Sequence, residues 1–147
     1  MSTDPKKPVF NTLPAATKNR MDKQRAFVAQ LVAKHFPNEK ITATETDFAL
    51  LQKILNAKLI DKTQTWELQS LGIVFGDALA NFITGLAWWE ITDDWGTDPT
   101  LRFQETTLQL NALTMLSKRV EEGKETDVAH MANWLKTFVQ TENPKYI

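Results

Sequence analysis

The sequence predicts an α+β domain: N-terminal helices, a small antiparallel sheet of about three strands, and C-terminal helices. Three observations point to it. Apolar residues recur at helical spacing from about residue 15 to residue 82. A short aromatic run, Leu86 to Thr92, then breaks that rhythm and ends in turn residues. After residue 114 the helical spacing returns. With 147 residues the chain has the length of one domain, large enough to build a core without staples, and no internal repeat or second domain is visible.

Residues 1–14 hold Pro5, Pro8 and Pro14 and read as a flexible or extended lead-in that Phe10 and Leu13 dock, so residues 15–147 form the domain. From Ala15 to Phe36 the positions Met21, Val28, Leu31, Val32, His35 and Phe36 share a helix face, and Pro37 stops the run. Thr44 and Asp47 have the form of a capping box ahead of a second stripe, Phe48, Leu51, Leu55 and Leu59. Thr63 or Thr65 opens a third helix, with Leu68, Leu71, Phe75, Leu79 and Phe82 on one stripe and Gly72, Gly76 and Ala80 on another. Glycine inside a helix costs about 1 kcal/mol relative to alanine, so something must approach that face closely, and this helix is expected at the centre.

Leu86 to Thr92 reads as a strand, and Asp93, Asp94, Gly96, Asp98 and Pro99 as a loop. Thr100 to Ala112 continues in an extended mode that fits one or two further strands. Thr114 to Glu122 fits a short helix ended by Gly123, and Thr126 is placed to cap a last helix with the stripe Val128, Met131, Leu135 and Phe138.

Composition narrows function by exclusion. The absence of cysteine removes disulfides, thiolate metal sites and cysteine nucleophiles and suits a reducing compartment. The polar stretch Met1 to Pro8 offers nothing a secretion machinery reads, so a cytoplasmic location is expected. Gly72 to Trp89 is long, mostly apolar, and carries glycines at the spacing of membrane helix dimers. Asp77 and Asn81 argue against a span, since a mid-bilayer Asp costs roughly 2.5–3.5 kcal/mol, and flanking basic clusters are lacking. Net charge is −1, with residues 1–40 at +5 and residues 85–123 at −4. An acidic chain is a poor nucleic-acid ligand, so neither nucleic acid nor membrane is an expected partner.

Leu71-Gly72, Phe75-Gly76-Asp77, Trp88 or Trp89, Asp93 or Asp94, Gly96, Leu101, Lys118-Arg119 and Gly123, in that order, resemble the bacterial family known as domain of unknown function 3806. The resemblance runs over roughly residues 65–140 and departs from the family pattern at Asn111-Ala112-Leu113, where a proline is expected. It implies a compact bacterial module and brings no catalytic residues.

No residue constellation specifies a reaction, and no cofactor is expected. Glu90, Asp93, Asp94 and Asp98 are oxygen donors, yet Asp93 and Asp94 are adjacent where a calcium loop alternates its ligands, and turn geometry accounts for Asp and Gly there. His35 and His130 have no second histidine at zinc spacing, and Ser70 and Ser117 lack the glycines of a nucleophile elbow. Gly123-Lys124 lacks the rest of a phosphate loop. Asp77, within an apolar helix, needs a partner: Arg119 is the expected one, with Lys118 in reserve.

The expectation is a non-enzymatic protein-binding module, in its sharpest form an immunity-like protein that neutralises a basic toxin. Glu90, Asp93, Asp94, Trp95 and Asp98 would be the partner-binding residues. The alternatives are a small-molecule or hydrolytic domain with a pocket near Asp77 and the acidic loop, and a self-assembling structural protein.

Overall fold

The computed structural model describes residues 8–145. Among them five α-helices and a four-stranded antiparallel sheet follow the order β1 (Val9–Asn11), α1 (Ala15–His35), α2 (Thr46–Asn56), α3 (Thr65–Phe82), β2 (Leu86–Asp93), β3 (Gly96–Phe103), β4 (Gln109–Leu110), α4 (Ala112–Glu121) and α5 (Val128–Glu142). The strands lie in the order β1-β2-β3-β4, so the α+β architecture has helices at both ends of the chain and the sheet between them.

The third helix is the axis. Ten of the eighteen residues of α3 are buried, against five of the twenty-one in α1, so α3 carries the core and α1 covers it. Phe75, Leu71, Leu79 and Leu68 form its inner stripe, joined by Phe48, Leu51 and Ile54 of α2 and Leu116 of α4. Phe48 meets Phe75 and Phe82 edge to ring, at centroid distances of 5.7 and 5.4 Å. Gly72 and Gly76 repay their helix cost in the expected way. A Cβ on Gly72 would run into the main-chain carbonyls of Leu113 and Ala112, and one on Gly76 into the indole of Trp88.

The start of α2 differs in detail from a capping box. Asp47 is 1% exposed, and its carboxylate accepts from the amides of Thr42 and Ala43 (2.9 and 2.8 Å) and from the Thr42 hydroxyl (3.1 Å). It therefore holds the loop two residues further back than the box geometry with Thr44 requires. Asp47→Ala strands buried donors and is expected to cost about 2 kcal/mol, read as a lower urea midpoint at unchanged slope.

Strand β2 ends where expected, but the loop from Asp93 to Pro99 is not a loop. Asp93 pairs with Gly96, Thr92 with Thr97, Ile91 with Asp98 and Glu90 with Pro99, so the connection is only Asp94 and Trp95. Gly96, at φ 130°, closes the ribbon. The turn residues are real turn formers, but strand pairing recruits three of them into β3. Pro99 is tolerated because β4 reaches only Leu101 and Arg102, which leaves β3 an edge at that height. The part of the lead-in within the described residues supplies a strand the sequence did not signal: Val9, Phe10 and Asn11 pair with Thr92, Ile91 and Glu90. At three residues it is too short for alternation to register.

The last helix begins one residue later than Thr126 suggests. Asp127 is the cap, its Oδ1 accepting from the His130 amide at 3.0 Å, while the Thr126 carbonyl and the Val128 amide are both held by the Gln52 side chain of α2 (2.9 Å each). Among the described residues no helix is long and apolar enough to cross a membrane, and residues 86–89 belong to the sheet.

Candidate functional site

Strand alternation sorts the hairpin into two faces. One face, with Leu86, Trp88, Leu101 and Phe103, turns to the helices. On the other, the Arg102 guanidinium lies over the rings of Phe10 (4.2 Å) and Trp89 (4.6 Å), tying β1, β2 and β3 together through cation–π contacts. The ribbon then runs on to its tip at Asp94 and Trp95, where the Trp95 side chain is 94% exposed. Residues 90–98 carry four carboxylates and no basic side chain.

The five residues expected to bind a partner divide by what already holds them. Asp94, Trp95 and Asp98 are exposed. Asp93 is half-buried, and its Oδ1 accepts from the Trp95 amide at 2.8 Å, so it builds the turn. Glu90 is half-buried too, and its Oε2 accepts from the Thr17 hydroxyl of α1 at 2.7 Å, which anchors the ribbon to the helical layer. The tip thus presents one indole and two unengaged carboxylates on a base that Asp93 and Glu90 keep in shape.

Asp77 has an ion-pair partner, but it is Arg25 of α1 and not Arg119. Arg25 Nε donates to Asp77 Oδ2 at 2.7 Å and Nη2 to Oδ1 at 2.8 Å, a two-pronged geometry only guanidinium supplies. Trp88 Nε1 donates to Oδ1 at 2.9 Å. The hydrogen bonding it donates to Asp77 is the main reason the Arg25 guanidinium is held above its already high ordinary range. Both oxygens are therefore spent on structure. Arg119 is exposed and lines a hollow beside α5 with His130 and Trp134. The signal for Arg25 was present in the sequence, since it lies four residues after Met21 and three before Val28, on the apolar face of α1.

His35 and His130 are exposed on separate helices, and Ser70 and Ser117 are buried with their hydroxyls donated to the Trp66 and Thr114 carbonyls. Among the described residues no three His, Asp or Glu side chains are grouped so as to hold a metal ion.

No curated protein matches the sequence. A crystal structure from Bacteroides thetaiotaomicron VPI-5482 superposes with a TM-score of 0.78 over 90% of this chain at 15% identity. At that identity the likeness speaks for the fold alone, and the chain spans about half of that protein, 48% of its length. A family profile described as "Domain of unknown function (DUF3806)" matches residues 47–131, which is 85 of the 147 residues and runs from the start of α2 into α5. The match takes in the glycine-faced α3, the hairpin and the α3–α4 contact, and the chain belongs to this family.

Proposed function

We propose that the protein is a non-enzymatic, cytoplasmic protein-binding module whose hairpin tip enters a basic cleft on its partner. The observation that carries this reading is Trp95, left 94% exposed at the end of a ribbon whose residues 90–98 carry four carboxylates and no cation. Aromatic side chains bury 150–250 Å², roughly, when covered, and dominate binding hot spots. Carboxylates around such an anchor speed encounter with a basic surface and set its orientation. A bacterial immunity-like protein that neutralises a basic toxin is the sharpest form of the proposal. A small-molecule or hydrolytic site near Asp77 finds less support, because Arg25 and Trp88 occupy both oxygens of that carboxylate.

The test uses tagged protein from its native host and follows the affinity of a stoichiometric partner. Trp95→Ala is expected to weaken capture by about tenfold or more. Asp94→Lys with Asp98→Lys is expected to weaken it as strongly and to flatten its salt dependence. Asp93 is spared because it holds the turn. All three positions being surface sites, unfolding midpoints should move by less than about 0.5 kcal/mol equivalent. A partner bound equally well by both variants, at any salt concentration, would overturn the proposal.

A further inference from the structure

The face of the hairpin turned away from the helices carries two opposite charges that have no partner among the described residues. Alternation along β3 puts Asp98, Thr100 and Arg102 on this face, opposite Ile91, Trp89 and Ala87 of β2, and Phe10 of β1 joins them through its pairing with Ile91. Arg102 lies over the rings of Phe10 and Trp89 and gives its Nε to the Thr106 carbonyl at 2.6 Å. Its two Nη groups make no hydrogen bond and meet no carboxylate among the described residues, and Asp98, fully exposed, has no hydrogen bond or ion pair there either. Asp93, on the same face, is already spent on the Trp95 amide.

Asp98 and Arg102 do not neutralise each other. Four residues along one strand separate them by about 13 Å. The same separation makes the face self-complementary, with a carboxylate at its tip end, a guanidinium at its base and half-buried aromatic side chains between.

We propose that this face is where two copies of the chain meet, with Arg102 of each copy paired to Asp98 of the other. A two-fold axis lying in the interface and crossing the strands at the Trp89–Thr100 rung reverses strand direction and keeps β3 over β3. Asp98 then faces Arg102 twice, and the two Trp89 rings meet at the axis. An axis along the strands would stack Asp98 on Asp98 and Arg102 on Arg102, so charge selects the first arrangement. Packed sheet faces lie about 10 Å apart, a gap that an arginine and an aspartate side chain span together. Guanidinium held against two rings, with its Nη edge open, is arranged for a carboxylate. The ribbon is narrow, which makes the dimer a weak one, with a dissociation constant on the order of 100 μM. Asp98 belongs to this face and to the hairpin tip alike, whereas Asp94 and Trp95 lie beyond the paired rungs and remain with the tip.

Sedimentation equilibrium on the purified full chain, up to about 1 mM, tests the proposal without any other protein. A reversible monomer–dimer equilibrium is expected. Asp98→Arg is expected to weaken it by about tenfold or more, because both cross-copy pairs become repulsive, and Arg102→Glu should do the same. Asp98→Arg combined with Arg102→Glu exchanges the two charges and is expected to bring the dissociation constant back to within about threefold of the unsubstituted chain. A purely structural role for Arg102 beneath Phe10 and Trp89 would produce no such rescue. Arg102→Glu also takes the cation from those rings; should the variants that carry it fail to fold, Asp98→Arg, at an exposed side chain, decides the matter alone. A monomer at every concentration, a dimer indifferent to Asp98→Arg, or a folded double variant that stays monomeric would overturn the proposal.

Discussion

Gly72→Ala is expected to destabilise the protein by about 2 kcal/mol, although alanine is the better helix former by about 1 kcal/mol. The opposing term is larger. The added methyl would meet main chain, with the Leu113 carbonyl carbon at 2.7 Å and the Ala112 oxygen at 2.8 Å, and main chain at the start of α4 has no rotamer to yield. Separating α3 from α4 would loosen a packed contact along the core, and overpacking of that kind costs roughly 1–3 kcal/mol, occasionally more. Gly76→Ala is the internal control. Its methyl meets the far edge of the Trp88 ring, a side chain and not main chain, so the loss should be smaller, about 1 kcal/mol. Urea unfolding at constant slope measures both. A midpoint raised by Gly72→Ala would mean that propensity outweighs the close approach of α3 and α4.

Asp77→Ala is expected to cost about 3 kcal/mol, because it removes the acceptor of three hydrogen bonds in one step. The Arg25 side chain keeps 34% of its surface in water and recovers part of its solvation, which holds the loss at the low end of what breaking a buried pair costs. The Trp88 indole N–H, wedged against Gly76, has less recourse. Asp77→Asn retains one acceptor oxygen and should lose less. A double-mutant cycle with Arg25→Ala is expected to return a coupling of about 1–2 kcal/mol, whereas Arg119→Ala should leave stability within about 0.5 kcal/mol. Additivity of Asp77→Ala with Arg25→Ala, or a strong coupling to Arg119, would sink the pairing.

The fate of Asp77 shows where sequence reading reaches its limit. That a carboxylate among Phe75, Gly76, Ala78 and Leu79 needs a cation follows from the cost of burying charge. Which cation supplies it depends on how α1 crosses α3, and Arg25 and Asp77 are 52 residues apart. The hairpin shows the same division. Alternation and turn formers placed a strand at Leu86 and a reversal near Asp94, but the two-residue length of the turn was set by pairing Asp98 with Ile91 and Pro99 with Glu90. Of the candidate tip, Asp94, Trp95 and Asp98 are exposed as a binding surface needs, while Glu90 and Asp93 are engaged at Thr17 and at the turn. The Glu90 engagement has no sequence signature, because a hydrogen bond across 73 residues leaves none, whereas the Asp93 bond is local and belongs to the turn chemistry the sequence does show.

By itself the sequence determined the helices, the change to extended structure at Leu86 and the close approach on the glycine face of α3. Periodicity and the steric meaning of glycine are local properties, written within a few residues of where they act. Only the tertiary structure decided that α4 is what approaches Gly72, that Arg25 neutralises Asp77, and that Val9–Asn11 adds an edge to the sheet. It also decided that Lys58 and Lys62 line one hollow and Arg119 and Trp134 another. The physical reason is common to all four: each depends on the relative placement of elements far apart in the chain, which is fixed by the packing of the whole core and not by any segment of it.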